Sequence, residues 1–386
     1  MSVLIAGGGI GGLTTAIALG REGIETSVLE RTTFAEESGA GIQLGPNATR
    51  ILRALGVLDA LAPHAFRPEA VWLFDGISGR KLGTMPISDT AEERYGAPYL
   101  TVHRADLHAS LKAAAVAQSG VSLRPGFAIA GFDPGETVSV ANLEGTAVQG
   151  SALVGADGLW STVRKQVAPD AELSFTGATA FRSLLLRGNL PAPFDEPIVG
   201  LWLGPNSHLV HYPVRSGKAL NVVAVTETGQ RADGWNRSAD GAALSASFTH
   251  WGTEAKALLA EAEAWRAWSL FTLPRIPKWS HGAVTLLGDA AHPVLPYLAQ
   301  GAGLAIEDAA TLAQMLGAAR DRPTLAFRAY EAIRRVRAER VQRTAQRLGR
   351  AYHMGRPLRL VRNAILGLRS PEASLRSFDW LYGTGT

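Results

Sequence analysis

The sequence predicts an α/β protein: a Rossmann-like dinucleotide-binding domain, a mostly β domain inserted into it, and a helical region at the C-terminus. Three observations predict this. Residues 1–30 form a strand, glycine turn, helix and second strand. Two further apolar strands end in Gly155-Ala156-Asp157-Gly158 and in Gly288-Asp289. Between them lies a β-rich stretch, and after residue 304 the pattern is helical. The expected division is 1–70, 101–170 and 279–320 for the discontinuous dinucleotide domain, 71–100 and 171–278 for the β-rich insert, and 321–386 for the helical region.

Met1-Ser2-Val3-Leu4-Ile5-Ala6 suits a buried parallel strand. Gly7-Gly8-Gly9-Ile10-Gly11-Gly12 follows, then a run rich in Ala and Leu, then Glu25-Thr26-Ser27-Val28-Leu29-Glu30. Strand, G-x-G-x-x-G, helix, strand and terminal acid make the dinucleotide-binding fingerprint in its expected context. Gly7 permits the tight turn, Gly9 admits a pyrophosphate to the backbone N–H groups, and Gly12 lets helix and strand pack closely. Gly11 shares the loop, and the positive helix end faces the phosphates. Glu30 can accept from ribose hydroxyls, with Arg31 beside it.

After a polar loop, Pro46 suits the first turn of a helix to about Leu55, closed by Gly56. Residues 70–100 read as short strands and turns, His103-Arg104-Ala105-Asp106 opens a helix, and a strand pair is expected within 121–148. Strands are expected at 181–185, 198–202 and 220–224, and helix in parts of 240–265. Helices are expected at 304–316 and 324–348. The last carries Arg328, Arg334, Arg335, Arg337, Arg340, Arg343, Arg347 and Arg350. Its apolar positions Ile333, Val336, Ala345 and Leu348 are expected inside, with the arginines on a solvated face or subunit contact. No aromatic platform is interleaved with them, so no nucleic-acid partner is expected.

The 386 residues hold 38 basic and 34 acidic side chains, a net charge of +4 too small to imply a polyanionic partner. No cysteine is present, which excludes disulfides and thiolate chemistry and suits a cytoplasmic enzyme. No metal site is expected. Residues 3–20 are apolar but glycine-rich and lack a basic leader, so neither a signal peptide nor a membrane span is expected.

The fingerprint is joined by three segments: Gly155-Ala156-Asp157-Gly158 with Arg164 beyond it, Gly288-Asp289-Ala290-Ala291-His292-Pro293 running on to Gln300-Gly301-Ala302-Gly303, and Arg104-Ala105-Asp106-Leu107. In this set and order the chain resembles the single-component FAD-dependent aromatic hydroxylases of the salicylate, 3-hydroxybenzoate and 6-hydroxynicotinate hydroxylase type. The resemblance spans nearly the whole chain and implies the aromatic hydroxylase fold with tightly bound FAD. NADH or NADPH would be a transient co-substrate, since no second glycine fingerprint exists for it.

Asp289, at the end of a buried strand, is placed to accept a ribityl hydroxyl, as the matching family aspartate does; a plain turn aspartate is the alternative. The N–H groups of Gly301, Ala302 and Gly303, at a helix start, would stabilise negative charge on a reduced flavin ring. Arg104 matches a flavin-contacting arginine of the family, with a solvated helix-start arginine as alternative. Asp157 matches a family motif near the cofactor, and Gln43 falls where the family brings chain alongside the flavin. Glutamine cannot replace the histidine base that some relatives carry there.

The insert contains Ser207-His208-Leu209-Val210-His211-Tyr212-Pro213. Strand alternation places His208, Val210 and Tyr212 on one face and His211 on the other. His208 and Tyr212 match the family's active-site pair and could take or relay a phenolic proton; a structural His–Tyr pair is the alternative. Tyr297, Gln43 and Trp202 are further candidates for the substrate wall, and Val199 could also line it; core packing is the alternative for Trp202 and Val199. The resemblance implies hydroxylation of a small phenolic aromatic or N-heteroaromatic carboxylate with NAD(P)H and O2, through a C4a-hydroperoxyflavin, by a monomer or homodimer. Competing readings are an amine-type oxidase, a halogenase or a non-catalytic FAD-bound redox sensor. The halogenase W-x-W-x-I-P motif is not matched by Trp265-Arg266-Ala267-Trp268-Ser269-Leu270.

Overall fold

A strand apolar on both faces must be covered on both, and Ser2–Ala6 is. It pairs in parallel with Ala152–Gly155 on one side and Glu25–Glu30 on the other. The computed structural model describes residues 1–34, 40–188, 190–231 and 237–383, so the polar loop expected after Arg31 lies partly outside the described residues. Around that central strand is a six-stranded sheet in the order Ser280–His281, Val284–Leu286, Ala152–Gly155, Ser2–Ala6, Glu25–Glu30, Val121–Pro125. All pairs are parallel except the terminal Ser280–His281. The helix Ile10–Arg21 packs on Gly301–Ala318 and on Arg104–Ala117.

The second sheet has eight strands, in the order Arg237–Ala239, Trp265–Thr272, Ser174–Leu186, Ala219–Thr226, Ser207–Val214, Ile198–Gly204, Ala70–Asp75, Lys81–Pro86. It is antiparallel apart from the Ile198–Gly204/Ala70–Asp75 pair. Period-two alternation gives it two different faces. Leu209, Leu220, Val222 and Ala224 join Phe74, Phe194, Phe248 and Trp251 in an apolar layer on one side. His208, Val210, Tyr212, Val223 and Val225 point to the other, towards the six-stranded sheet. A short ladder joins the two halves: Gly41–Leu44 pairs with Leu100–His103, Gly41 N–H donates to Asn221 Oδ1 (2.7 Å), and the Thr101 hydroxyl donates to the Pro213 carbonyl.

Three expectations need correction. Residues 70–100 include a helix, Asp89–Tyr95, with Asp89 and Glu92 in its first turn and Gly96 at φ +73° closing it. That acid start and glycine stop are legible signals. The segment 121–148 holds more than the expected strand pair: Ile129–Pro134 and Val138–Asn142 do pair with each other, but Ala147–Gly150 extends them and Val121–Pro125 joins the six-stranded sheet.

The third correction concerns the arginine-rich helix, which runs Pro323–Tyr352. Ile333 and Val336 are 51% and 69% exposed, whereas Arg334 is 1% exposed. The buried line is Tyr330, Arg334, Ala338, Val341, Ala345 and Gly349, at spacings of three to four. Arg334 faces inward because two carboxylates of Gly301–Ala318 await it: Nε bonds Asp308 Oδ1 (2.6 Å) and Nη2 pairs with Glu307 Oε2 (2.8 Å). His292 Nε2 meets Asp308 Oδ2 (2.5 Å), and Arg337 forks onto Glu307. No helix among the described residues is long and apolar enough to cross a membrane.

Candidate active site

The dinucleotide fingerprint has the geometry its residue types require. Gly7 sits at φ +99°, where a Cβ would also lie 2.5 Å from the Ala156 carbonyl oxygen. A Cβ on Gly12 would lie 1.9 Å from the Gly7 carbonyl oxygen, so helix and turn close only with glycine there. Gly9 has open space at its Cβ position and precedes the first turn of Ile10–Arg21. Gly9 and Gly11 both line a cavity of about 280 Å³. Glu30 accepts from Gly8 N–H (2.7 Å) through Oε2 and from Thr32 N–H through Oε1, leaving one lone pair of Oε2 for a ribose hydroxyl. Arg31 is exposed and does not line the cavity.

The other wall is built from far along the chain. Asp289 opens into the cavity with Gly288 behind it, and Gln300, Gly301 and Ala302 present the start of Gly301–Ala318. Burial in the cleft raises the Asp289 carboxyl, while His292, Arg104 and Arg164 pull it down. Gly303 lies one step behind: a Cβ there would stand 3.0 Å from Gln300 Oε1. Arg104, at the start of Arg104–Ala117, lines this cavity and a neighbouring groove of about 940 Å³. Gln43 also lines it and accepts from the Tyr99 hydroxyl (2.6 Å).

His208 and Tyr212 face the cavity from the eight-stranded sheet, as alternation predicts. His211 faces away, against Phe194 (ring centroids 4.9 Å). Burial, with Arg182 and Gln43 opposing, holds the Tyr212 phenol up at about 12, so it remains a proton donor at neutral pH. Burial first and the His353 ring second push His208 well below the usual imidazole range. His208 is therefore neutral.

Besides Arg31, four expected site residues are not where the sequence suggested. Trp202 is on the opposite face of the sheet, stacked on Phe74 at 4.3 Å, because its register partner is Leu209 rather than His208. Tyr297 stands behind His208 (ring centroids 5.3 Å) and against Gly349, outside the lining. Asp157 turns its carboxylate onto Ser161 Oγ and the N–H groups of Thr162 and Val163, capping the helix Thr162–Val167. Val199 is packed in an apolar cluster. Arg164 is buried and donates to the carbonyls of Leu159 and Ala290, tying the second motif to the third.

Sequence reasoning missed Arg182, His353 and Glu227. Arg182 lines both cavities, lies 3.8 Å over the Trp268 ring, and its Nε has no hydrogen-bond partner among the described residues. Burial lowers it to about 10, so it stays cationic. His353 Nε2 meets His208 Nδ1 at 2.8 Å, and its Nδ1 meets Glu227 Oε1 at 2.6 Å.

A glycine cradle at a helix start, an acid for ribose, an aspartate and a second helix start on the opposite wall fit the two ends of FAD and define a flavoprotein oxidoreductase. A model of the FAD-binding domain matches residues 1–345. The chain is 37% identical over 385 residues to 3-hydroxybenzoate 6-hydroxylase of Polaromonas naphthalenivorans, covering 99% of this chain and 96% of that protein. It is 37% identical over 384 residues to 3-amino-4-hydroxybenzoate 2-monooxygenase PtnB3 of Streptomyces platensis, covering 99% and 95%. Klebsiella pneumoniae HpxO, solved with FAD and uric acid, superposes with a TM-score of 0.88 at 24% identity, covering 99% and 96%. The chain belongs to the FAD-dependent aromatic hydroxylase family and is a flavin monooxygenase.

Proposed function

We propose that this chain inserts one oxygen atom into an aromatic ring bearing both a phenolic hydroxyl and a carboxylate, a hydroxybenzoate-class substrate. NADH or NADPH is the transient reductant and O2 the co-substrate, in the cytoplasm. The six-stranded sheet serves the cofactor and the eight-stranded sheet the substrate. One observation carries this reading: a neutral His208, a protonated Tyr212 and a cationic Arg182 share a cavity with the flavin-side residues Gln43, Gly301 and Ala302. Two relatives named for hydroxybenzoate and aminohydroxybenzoate rings favour the same substrate class.

Gly7, Gly9, Gly11 and Gly12 with the first turn of Ile10–Arg21 would hold the pyrophosphate, Glu30 a ribose and Asp289 the ribityl chain. Bound FAD supplies the redox chemistry that takes reducing equivalents from NAD(P)H and activates O2. The protein's task is to make the ring electron-rich and keep water away. His208 accepts the phenolic proton at the ring nitrogen not bonded to His353, so the ring carbons ortho and para to the oxygen gain electron density. Tyr212 donates to the resulting phenolate, and Val210, Val223 and Val225 exclude solvent around it.

The test is an NADH and NADPH oxidation screen over hydroxybenzoates and hydroxypyridine carboxylates with H2O2 measured alongside. The expected result is strong stimulation by one hydroxybenzoate with little peroxide. Oxidation indifferent to every ring, with all oxygen recovered as H2O2, would overturn the reading.

Arg182 is assigned to the substrate carboxylate, a charge-assisted bond in a desolvated site. Arg182→Met should raise KM for the carboxylated ring by about 10- to 100-fold, corresponding to the loss of one such bond. KM for the same phenol without the carboxylate should barely change.

A further inference from the structure

His208 lies inside the protein, and a proton it accepts has nowhere to go by diffusion. The structure supplies a route. His208 Nδ1 and His353 Nε2 are 2.8 Å apart, His353 Nδ1 and Glu227 Oε1 are 2.6 Å apart, and the Glu227 side chain is 44% exposed. A continuous hydrogen-bonded line therefore runs from the cavity to solvent.

The line also fixes the tautomers. An ionised carboxylate only accepts, so His353 Nδ1 carries the hydrogen and His353 Nε2 is a lone pair. That lone pair requires the hydrogen of His208 to sit on Nδ1. The remaining nitrogen of His208, Nε2, is thereby a lone pair on a ring that lines the cavity, which is the form a base needs. Rigid supports hold the geometry. His353 N–H bonds the Gly349 carbonyl at the end of Pro323–Tyr352, its carbonyl accepts from Asn206 N–H (3.1 Å), and Glu227 N–H donates to the Asn206 carbonyl (2.9 Å). Tyr297 and Tyr352 wall the His208 ring at 5.3 and 5.6 Å.

We propose that His353 and Glu227 are positioning residues that orient His208 as a base and carry its proton to solvent. This rests on the reading of His208 as the base for a phenolic substrate. In balanced form, the substrate O–H bond breaks and an N–H bond forms at His208 Nε2. The Nδ1 proton of His208 passes to His353 Nε2, the Nδ1 proton of His353 passes to the Glu227 carboxylate, and Glu227 releases it to water. The same line run backwards reprotonates the product phenolate and resets both tautomers. Burial holds both imidazoles below their ordinary basicity, so neither stores the proton and handing it on is favoured.

The test uses the FAD-loaded enzyme without NAD(P)H and the chromogenic phenol 3-hydroxy-4-nitrobenzoate at a pH where the free probe is still the neutral phenol, read by difference spectrum, with a pH indicator in weak buffer. The wild-type enzyme should bind the probe as phenolate and release a matching proton. Glu227→Gln and His353→Gln should slow phenolate formation and proton release together by about tenfold or more, the scale of a lost proton-transfer group. Flavin spectrum and thermal midpoint should hold, and added imidazole should restore the rate in His353→Ala. Unchanged rates in both Gln variants would overturn the relay. So would slowed rates that imidazole does not restore, accompanied by a lowered thermal midpoint. If the wild-type enzyme binds the probe as the neutral phenol, or His208→Ala ionises it equally well, the base reading itself fails and the relay with it.

Discussion

His208→Ala is expected to lower coupled hydroxylation by about 10²- to 10⁴-fold, the range for a positioned general base. The affinity for FAD should hold, because Gly9, Gly12 and Asp289 are on other elements. NAD(P)H oxidation should persist with its oxygen appearing as H2O2, since a neutral phenol is a poor nucleophile and the activated oxygen is then lost to water. The measurement is product formed per NAD(P)H consumed, with flavin titration as control. Unaltered coupling with the true substrate would remove His208 from the chemistry. His211→Ala is the matched control on the far face of the same strand.

Arg334→Met should destabilise the protein by about 3 kcal/mol or more, because it leaves buried carboxylates short of a partner. His292 still bonds Asp308 and Arg337 still forks onto Glu307, which sets the effect at the lower end of that class. Both acids lie on Gly301–Ala318, the helix whose first turn meets the cavity, so FAD should also dissociate more easily. Urea denaturation with and without added FAD measures both effects. The acid limb carries a signature. Burial alone would raise Asp308, but His292 and Arg334 bring it down to about 2. A carboxyl depressed in the folded state stabilises above its unfolded pKa, near 4, and that contribution is lost as pH falls through about 2. In Arg334→Met the loss should begin at higher pH.

What was legible was local or strictly periodic. The fingerprint is contiguous, so its glycine roles follow from spacing alone. His208 and His211 separate by alternation within one strand. Trp202 failed because its side depends on register with Ser207–Val214, and the sequence does not print register. The long helix failed because Arg334 shares its inward face with Tyr330, Ala338, Val341 and Ala345, while Ile333 and Val336 point out. Glu307 and Asp308 create that inversion from another helix. His353 and Glu227 were invisible for the same reason: a helix end and a strand end meet across 126 positions of chain. The glycine at 96 and the acids before it were readable and were missed.

The strand order also dictates an order of assembly. Strands 2–6, 25–30, 121–125 and 152–155 leave the ribosome early, but the sheet is completed only by 280–286. The eight-stranded sheet, from residues 70–86 and 174–272, is wholly synthesised before that. The eight-stranded sheet can therefore close first, while the six-stranded sheet waits as a four-stranded fragment with an open edge. Asp289 and Gly301 emerge last of the site residues on the wall opposite Gly9. The proposed FAD site is thus complete only late in synthesis, and the six-stranded sheet keeps its open edge until residues 280–286 are made.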